Sequence, residues 1–260
     1  MKKIIALLVI TQTLVSAQNA IVAHSVDSIL VKADAIVGID TFETLYYTET
    51  AGIFKKPKLL PVVTYANYQL GAPTTVNTFN PLKINVFYQD FNTLVVLDNR
   101  MTEISKVDFN IRPPYLNVSH LSTASENKVW IFNQDLQQLQ IYDYKSGKLS
   151  SVAVPVQSNV LDLVSDYNYA WLLTEKYLYQ YNYTGSVISK IKNNGFEKLA
   201  THNENVLIKT GNAFLYKPAE KDILIQVELG TKMVKQFLLD GETLYIYRLE
   251  KLLKYQLKIK

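Results

Sequence analysis

The chain has 260 residues, of which 48% are hydrophobic, so it is long and apolar enough for one or two folded domains with a hydrophobic core. Its 27 basic and 23 acidic residues give a net charge of +4 with no run of Lys or Arg, which argues against a nucleic-acid partner. There is no cysteine, which excludes disulfides, thiolate catalysis, cysteine-ligated metal sites and a lipid anchor on an N-terminal cysteine.

The first 17 residues have the pattern of a secretory signal peptide. Two lysines precede an apolar run at residues 4–10, and small residues lead to a cleavage site after Ala17. The alternative is a membrane anchor, but polar residues at 11–13 interrupt a run that is already shorter than the roughly 20 residues of a spanning helix. We therefore expect an exported protein with no transmembrane segment after signal removal. It would lie in the periplasm or outside the cell, and only a partner would hold it at the outer membrane.

Residues 18–260 have the pattern of short β-strands. Apolar residues alternate or form short blocks that are rich in Val, Ile, Leu, Tyr and Phe. Turn clusters that contain glycine, such as residues 144–147, 183–185 and 240–242, separate these blocks at hairpin distances. The sequence predicts antiparallel hairpins and no long helix.

The strand pattern repeats along the chain. Residues 84–107 align without gaps with residues 129–152, which lie 45 positions later, so that Asp90 corresponds to Asp135. A third copy begins at Ala170, and weaker copies lie on either side. The six units begin near residues 33, 76, 115, 157, 195 and 231.

A repeat of this length with three or four antiparallel strands is typical of a β-propeller blade, because stacked blades bury both faces of each sheet. The sequence predicts one all-β domain over residues 18–260, a propeller of about six blades, with five to seven as the range. The last unit has only three strands, and residues 28–31 have the pattern to supply its outer strand and close the ring. The alternative is that residues 18–32 form a loose leader.

Three stretches of the chain resemble a group of exported flavobacterial proteins of unestablished function. They are residues 33–47, 64–71 and 80–104, and the last, NPLKINVFYQDFNTLVVLDNRMTEI, is the most specific. The resemblance implies an exported β-propeller of a Gram-negative envelope. It implies no reaction and supplies no catalytic motif.

Candidate catalytic residues are sparse. His24, His120 and His202 do not have the spacing of a shared metal site, and we expect each to be a surface or loop residue. Motifs of hydrolases, metalloproteases and nucleotide-binding proteins are missing from the sequence. We therefore expect no catalytic residues, no metal and no cofactor.

Single acidic residues recur in equivalent turns of the repeats. Asp90 corresponds to Asp135, and Asp98 corresponds to Asp143. A calcium loop or a glycosidase pair would need several carboxylates close together, so turn formation is the better interpretation.

Aromatic residues also recur in register. Alternating tyrosines at residues 177–183 face one side of a sheet, where they could stack on sugars or grip a peptide. Tyr181 corresponds to Tyr142, however, so packing between blades is the simpler role. Trp130 and Trp171 also correspond to each other, and we predict that both lie in the core.

In a propeller, the loops that lead into each blade share a face with the turns between its second and third strands. This face is the candidate binding surface by analogy with the fold. Its predicted members are Asp90, Arg112, Tyr115, Asp135 and Lys176.

Two classes of function fit these features. The first is an exported, non-catalytic binding or scaffold module, a monomeric propeller that recognises a protein or glycan of the envelope through one face. The alternative is a hydrolase that acts on a glycan or ester at the mouth of the central channel. Two carboxylates, or a nucleophile and a base, within hydrogen-bond reach at that mouth would favour the enzyme.

Overall fold

A computed structural model describes residues 20–230 and 234–259 and shows six four-stranded blades around a central axis. The predicted signal peptide, residues 1–17, lies outside the described residues. Within the described part of the chain, the helical structure is one 3-10 turn at Gln89–Phe91, and no helix is long and apolar enough to cross a membrane. The predicted all-β propeller of about six blades is confirmed.

Each blade is an antiparallel sheet whose strands follow one another in sequence. Blade 1 contains β2 (Ala35–Ile39), β3 (Leu45–Glu49), β4 (Gly52–Lys56) and β5 (Val63–Ala66). Blade 2 contains β6 (Thr75–Asn77), β7 (Ile84–Tyr88), β8 (Thr93–Leu97) and β9 (Glu103–Asp108). Blade 3 contains β10 (Val118–Thr123), β11 (Lys128–Asn133), β12 (Gln138–Asp143) and β13 (Lys148–Val152).

The second half of the ring has the same construction, except that the last blade takes its outer strand from the start of the chain. Blade 4 contains β14 (Val160–Ser165), β15 (Tyr169–Thr174), β16 (Tyr177–Asn182) and β17 (Val187–Lys192). Blade 5 contains β18 (Lys198–His202), β19 (Asn205–Thr210), β20 (Ala213–Lys217) and β21 (Ile225–Glu228). Blade 6 contains β22 (Gln236–Asp240), β23 (Thr243–Arg248), β24 (Lys251–Leu257) and β1 (Ile21–Leu30).

Aspartates in the outer hairpin turns stabilise the local structure, as the sequence pattern indicates. The Asp98 carboxylate accepts hydrogen bonds from the backbone N–H groups two and four residues later, at 2.8 and 2.9 Å. The Asp143 carboxylate accepts two such bonds at 2.9 Å. These side chains bind their own backbone, which fixes the turn between the third and fourth strands.

Hydrophobic clusters fill the interfaces between neighbouring blades. Trp130 and Tyr181 pack between blades 3 and 4, and Trp171 packs between blades 4 and 5. All three side chains are fully buried, so the core positions predicted for both tryptophans are confirmed. Every residue of β7 and β8 is buried, because a middle strand has a neighbouring blade on each side.

The N-terminal strand closes the ring. β1 pairs antiparallel with β24 from Ala23 opposite Leu257 to Leu30 opposite Lys251. The Tyr247 hydroxyl then holds the connection to blade 1, because it accepts a hydrogen bond from the backbone N–H of Ala33 at 3.0 Å. The predicted closure is confirmed, and the strand begins earlier than residues 28–31.

The start of β1 makes a second contact that the repeat pattern does not predict. Ile21 and Val22 pair in parallel with Val227 and Glu228 of β21. Blades 5 and 6 are therefore joined into one eight-stranded sheet. A single strand thus links the last blade to both of its neighbours.

Removal of residues 18–30 should destabilise the protein by at least about 3 kcal/mol, since each backbone hydrogen bond is worth roughly 1 kcal/mol and the ladder has several. For a domain of this size, that corresponds to a melting temperature lower by about 6 to 12 °C. Thermal denaturation followed by circular dichroism measures it, with a truncation of residues 18–20 as the control. Equal melting temperatures for the two truncations would show that closure by β1 does not stabilise the ring.

Candidate functional site

The two ends of the ring carry different turns, because the strands of each blade are antiparallel. One end carries the turn between the first and second strands of every blade, nearest the axis. We call this end the inner-hairpin face. It consists of residues 40–43, 78–83, 124–127, 166–168, 202–204 and 240–242.

The five residues predicted from the sequence belong to connections at the other end. Asp90, Asp135 and Lys176 lie in turns between second and third strands, and all three are exposed. Arg112 and Tyr115 lie in the connection from β9 to β10. Within the described residues, no hydrogen bond or ion pair joins any two of the five, and this binding face stays a prediction.

Arg112 has a structural contact that the sequence does not reveal. Its guanidinium donates hydrogen bonds to the carbonyl oxygens of Tyr144, at 3.0 Å, and Lys145, at 2.8 Å. These residues form the turn from β12 to β13, at the opposite end of blade 3 from Asp135. The Arg112 side chain thus stabilises the hairpin turn between β12 and β13.

Asp135 and Lys176 also contact nearby loops. The Asp135 carboxylate accepts a hydrogen bond from the Asn117 amide at 2.7 Å. The Lys176 ammonium donates to the carbonyl oxygen of Gln157 at 3.0 Å. Both contacts tie a turn to the connection beside it.

A cavity of about 320 Å³ lies on the axis and reaches the inner-hairpin face. Residues of blades 1, 2, 4, 5 and 6 line it, and none of the described lining residues belongs to the predicted set. Phe79 of blade 2 and Tyr167 of blade 4 meet edge to face, with ring centroids 4.8 Å apart. The two rings thus meet in front of blade 3, which lies between blades 2 and 4. No described residue of blade 3 lines the cavity.

His202 and Asp240 are in contact on the wall of this cavity. Each is the last residue of the first strand of its blade, so they occupy equivalent positions in blades 5 and 6. The His202 Nδ1 atom lies 3.2 Å from the Asp240 carboxylate, and the side chains are 27% and 30% exposed. The fold therefore brings a base and a carboxylate together at the mouth of the channel.

The equivalent aspartates of other blades serve their own turns. The Asp40 carboxylate accepts hydrogen bonds from the backbone N–H groups of Phe42 and Thr44, both at 2.9 Å. Asp166 accepts two bonds of the same kind at 2.8 Å. Burial raises the pKa of Asp166, and the N–H groups of its turn oppose that rise. Asp240 differs because it faces His202 across a blade interface.

Hydroxyl and amide groups deeper in the channel bind one another. The Ser165 hydroxyl contacts the Ser122 hydroxyl at 2.7 Å and the carbonyl oxygen of Thr123. The Asn77 amide nitrogen donates to the Ser122 hydroxyl at 3.2 Å. This network links blades 2, 3 and 4 and occupies donor groups that line the cavity.

A second set of titratable residues occupies equivalent positions nearer the other end of the channel. His120, Asp162 and Lys198 lie on the first strands of blades 3, 4 and 5. Burial lowers the pKa of His120 to about 4, and the positive charge of Lys198 adds to this effect. Burial raises the pKa of Asp162, while Lys198 and the N–H groups of Leu199 and Leu163 oppose it. The expectation that His120 is a surface or loop residue is wrong, because it lies within β10 and its ring is largely buried.

Sequence reasoning missed the pair of His202 and Asp240. A usable signal is the similarity between residues 40–46 and 240–245, which places Asp40 and Asp240 at the same position of their blades. The weaker copy in blade 5 is recognisable in the sequence only from Val206 onward. An alignment that begins four residues earlier places His202 opposite the two aspartates.

The described residues contain no group of three or more His, Asp or Glu side chains with the arrangement of a metal site. The described lining of the channel mouth offers carboxylates, hydroxyl and amide groups, one imidazole and apolar walls.

The sequence matches no model of a known protein family, and no curated protein is detectably similar to it. The fold is similar to that of solved β-propellers. Virginiamycin B lyase from Staphylococcus aureus superimposes with a TM-score of 0.61 at 14% identity, over 85% of this chain and 79% of the lyase. The WD40 domain of Pan2 from Neurospora crassa gives a TM-score of 0.59 at 9% identity, over 91% and 98% of the two chains.

A third similar structure is PorZ from Porphyromonas gingivalis, a bacterial surface component of the type-IX secretion system. Its TM-score is 0.54 at 11% identity, and this chain covers only 31% of it. At these identities, the similarities establish the propeller fold alone.

The buried imidazole of His120 should make the protein less stable in acid. Unfolded His120 binds a proton below its ordinary pKa of about 6.5, whereas the folded state binds it only near pH 4. Stability from this group is therefore lost as the pH falls from about 6.5 to 4. In His120→Gln, the decrease in the free energy of unfolding between pH 7 and pH 4 should be smaller by about 2 to 3 kcal/mol, because one pKa unit is worth about 1.4 kcal/mol.

Urea denaturation of both proteins at pH 7 and pH 4 measures the effect. The raised pKa of Asp162 makes its contribution to stability increase as the pH falls, which is opposite to the effect of His120. Because Asp162 is present in both proteins, the difference between them reports His120. Identical pH dependence in the two proteins would show that His120 titrates normally.

Proposed function

We propose that this chain is an exported, non-catalytic binding module of the bacterial cell envelope, and that it holds a protein or glycan partner at the inner-hairpin face. The observation that carries the proposal is the axial cavity of about 320 Å³, to which five blades contribute residues. Concave sites at the mouth of a ring of this kind are where ligands bind most readily.

Exposed apolar side chains beside the cavity support a contact surface there. Phe42 is 81% exposed and lies in the same turn as Asp40. Leu82 is 63% exposed and lies in the corresponding turn of blade 2. Large apolar residues surrounded by polar ones are typical of surfaces that bind a partner.

Export is part of the proposal and rests on the signal sequence predicted at residues 1–17. The chain has no cysteine to carry a lipid, so a partner would have to hold it at the outer membrane. The monomeric ring would then be a component of the periplasm or the cell exterior. Proteins of the same fold include a lyase and a bacterial surface component, so the fold suits either binding or catalysis.

Crosslinking in intact cells of the source organism tests the binding face. We expect the wild-type protein to form a reproducible crosslinked complex, and the double variant Phe42→Ser, Leu82→Ser to lose it. The matched control is Leu136→Ser, Leu249→Ser, at turns of the opposite face where the side chains are 55% and 71% exposed. Loss in the control alone would move the site to the face predicted from the sequence, and absence of any complex would overturn the binding proposal.

The second candidate is a hydrolase acting on a glycan or an ester at the channel mouth. It is favoured by the contact between His202 and Asp240, because a carboxylate that orients an imidazole is a common arrangement for a general base. A base positioned in this way would activate water against a bound substrate.

Assays with chromogenic esters and glycosides distinguish the two candidates. A binding module should show no turnover that depends on His202. Turnover that His202→Gln reduces by about 100-fold or more, the range expected for a lost general base, would establish the hydrolase. A circular dichroism melt of the variant checks that the fold is kept.

A further inference from the structure

The volume of the axial cavity limits what can enter it. At about 320 Å³ it lies at the small end of the range of roughly 300 to 1,000 Å³ found for ligand pockets. One long side chain or one sugar-sized group fits this space. The occupant is thus a protruding part of a partner rather than a large free molecule.

Asp240 places a hydrogen-bond acceptor in the wall of the cavity. Three lining side chains that can donate already do so within the protein: Ser165, Asn77, and Thr201, whose hydroxyl donates to the carbonyl oxygen of Asn205 at 2.9 Å. The Asp240 carboxylate can only accept, which leaves it capacity beyond the His202 contact. A cationic donor can therefore bind this carboxylate.

His202 lies beside this carboxylate. Its Nδ1 atom is 3.2 Å from the Asp240 carboxylate, and its Nε2 atom has no hydrogen-bond partner among the described residues.

Acidic residues of the inner hairpins surround the mouth of the cavity. Although the chain has a net charge of +4, the inner hairpins of all blades except blade 2 carry acidic side chains. Lys83 is the basic residue on these segments, and its ammonium is bound to the carbonyl oxygen of Glu126 and the amide of Asn127. The acidic residues are Asp40, Glu43, Glu126, Asp166, Glu204, Asp240 and Glu242.

We call these seven acidic residues of the inner hairpins the acidic ring. Neighbouring lysines neutralise only part of it. Glu43 pairs with Lys58 at 2.6 Å and lies 3.8 Å from Lys254. Within the described residues, no lysine or arginine forms an ion pair with Asp40, Asp166 or Asp240. These three carboxylates can attract a cation to the channel mouth.

We infer that the cavity takes the lysine or arginine side chain of a protein partner, presented on a segment whose neighbouring apolar residues contact Phe42 and Leu82. This inference rests on the proposed binding function and specifies its ligand. The cation would bind the Asp240 carboxylate inside the cavity, and the acidic ring would attract it. A glycan fits less well because the rings of Phe79 and Tyr167 pack on each other.

Selection of random seven-residue peptides on the exported protein provides the probe. We expect enrichment of peptides with one Lys or Arg flanked by apolar residues. Replacing that residue by norleucine or citrulline should weaken binding at least about tenfold, as should Asp240→Asn, because a charge-assisted hydrogen bond is lost in each case. Fluorescence anisotropy with the labelled peptide measures these affinities.

Two controls keep the test specific. Glu175→Gln removes a carboxylate in the turn from β15 to β16, on the opposite face, and should leave the affinity unchanged. Glu204→Gln with Glu242→Gln reduces the acidic ring and should weaken the salt dependence of binding. Selection of neutral or acidic peptides, or an Asp240→Asn protein that binds as tightly as wild type, would overturn the inference.

The outcomes also separate this inference from the proposed function. If Phe42→Ser, Leu82→Ser abolishes the complex in cells but Asp240→Asn retains it, the binding face stands and the cationic ligand is wrong. Binding to a glycan array without peptide binding would likewise keep the binding face and exclude the cationic ligand. If neither variant changes a complex, or no complex forms, both proposals fail.

Discussion

Backbone pairing between the two ends of the chain is the constraint on which the rest of the structure depends. Without cysteine, the ring can be closed only by packing and strand pairing, and β1 supplies both when it pairs with β24. Ile21 also packs in the cluster between blades 5 and 6, and Tyr247 holds the connection to blade 1. Closure of this kind leaves no long free edge between the first and last blades.

Closure is also what creates the candidate site. The first strands of the six blades contact one another around the axis, so residues that end those strands converge on one mouth. His202 and Asp240 meet only because blades 5 and 6 are adjacent. Asp40 reaches the same mouth because blade 1 follows blade 6 around the closed ring. A propeller opened between blades 6 and 1 would separate Asp40 from Asp240 and lose the cavity.

The sequence predicted the architecture well, because a blade repeat leaves a strong pattern of strands and turns. The spacing between Asp90 and Asp135, and the equivalence of Trp130 and Trp171, indicated stacked blades with tryptophans between them, and both tryptophans are buried there. The site was harder to predict because it depends on contacts across blades. A pattern along the chain cannot show that Asp240 faces His202, or that Arg112 reaches the far end of blade 3.

Hydrogen–deuterium exchange along the whole exported chain tests ring closure most directly, because it reports the opening of each strand separately. If β1 closes the ring, its amides that pair with β24 should exchange as slowly as those of the outer strands of blades 2 to 4. Strands β22 to β24 and β1 should also open together as one unit. Rapid exchange throughout β1, with β22 to β24 still protected, would contradict closure of the ring by the N-terminal strand.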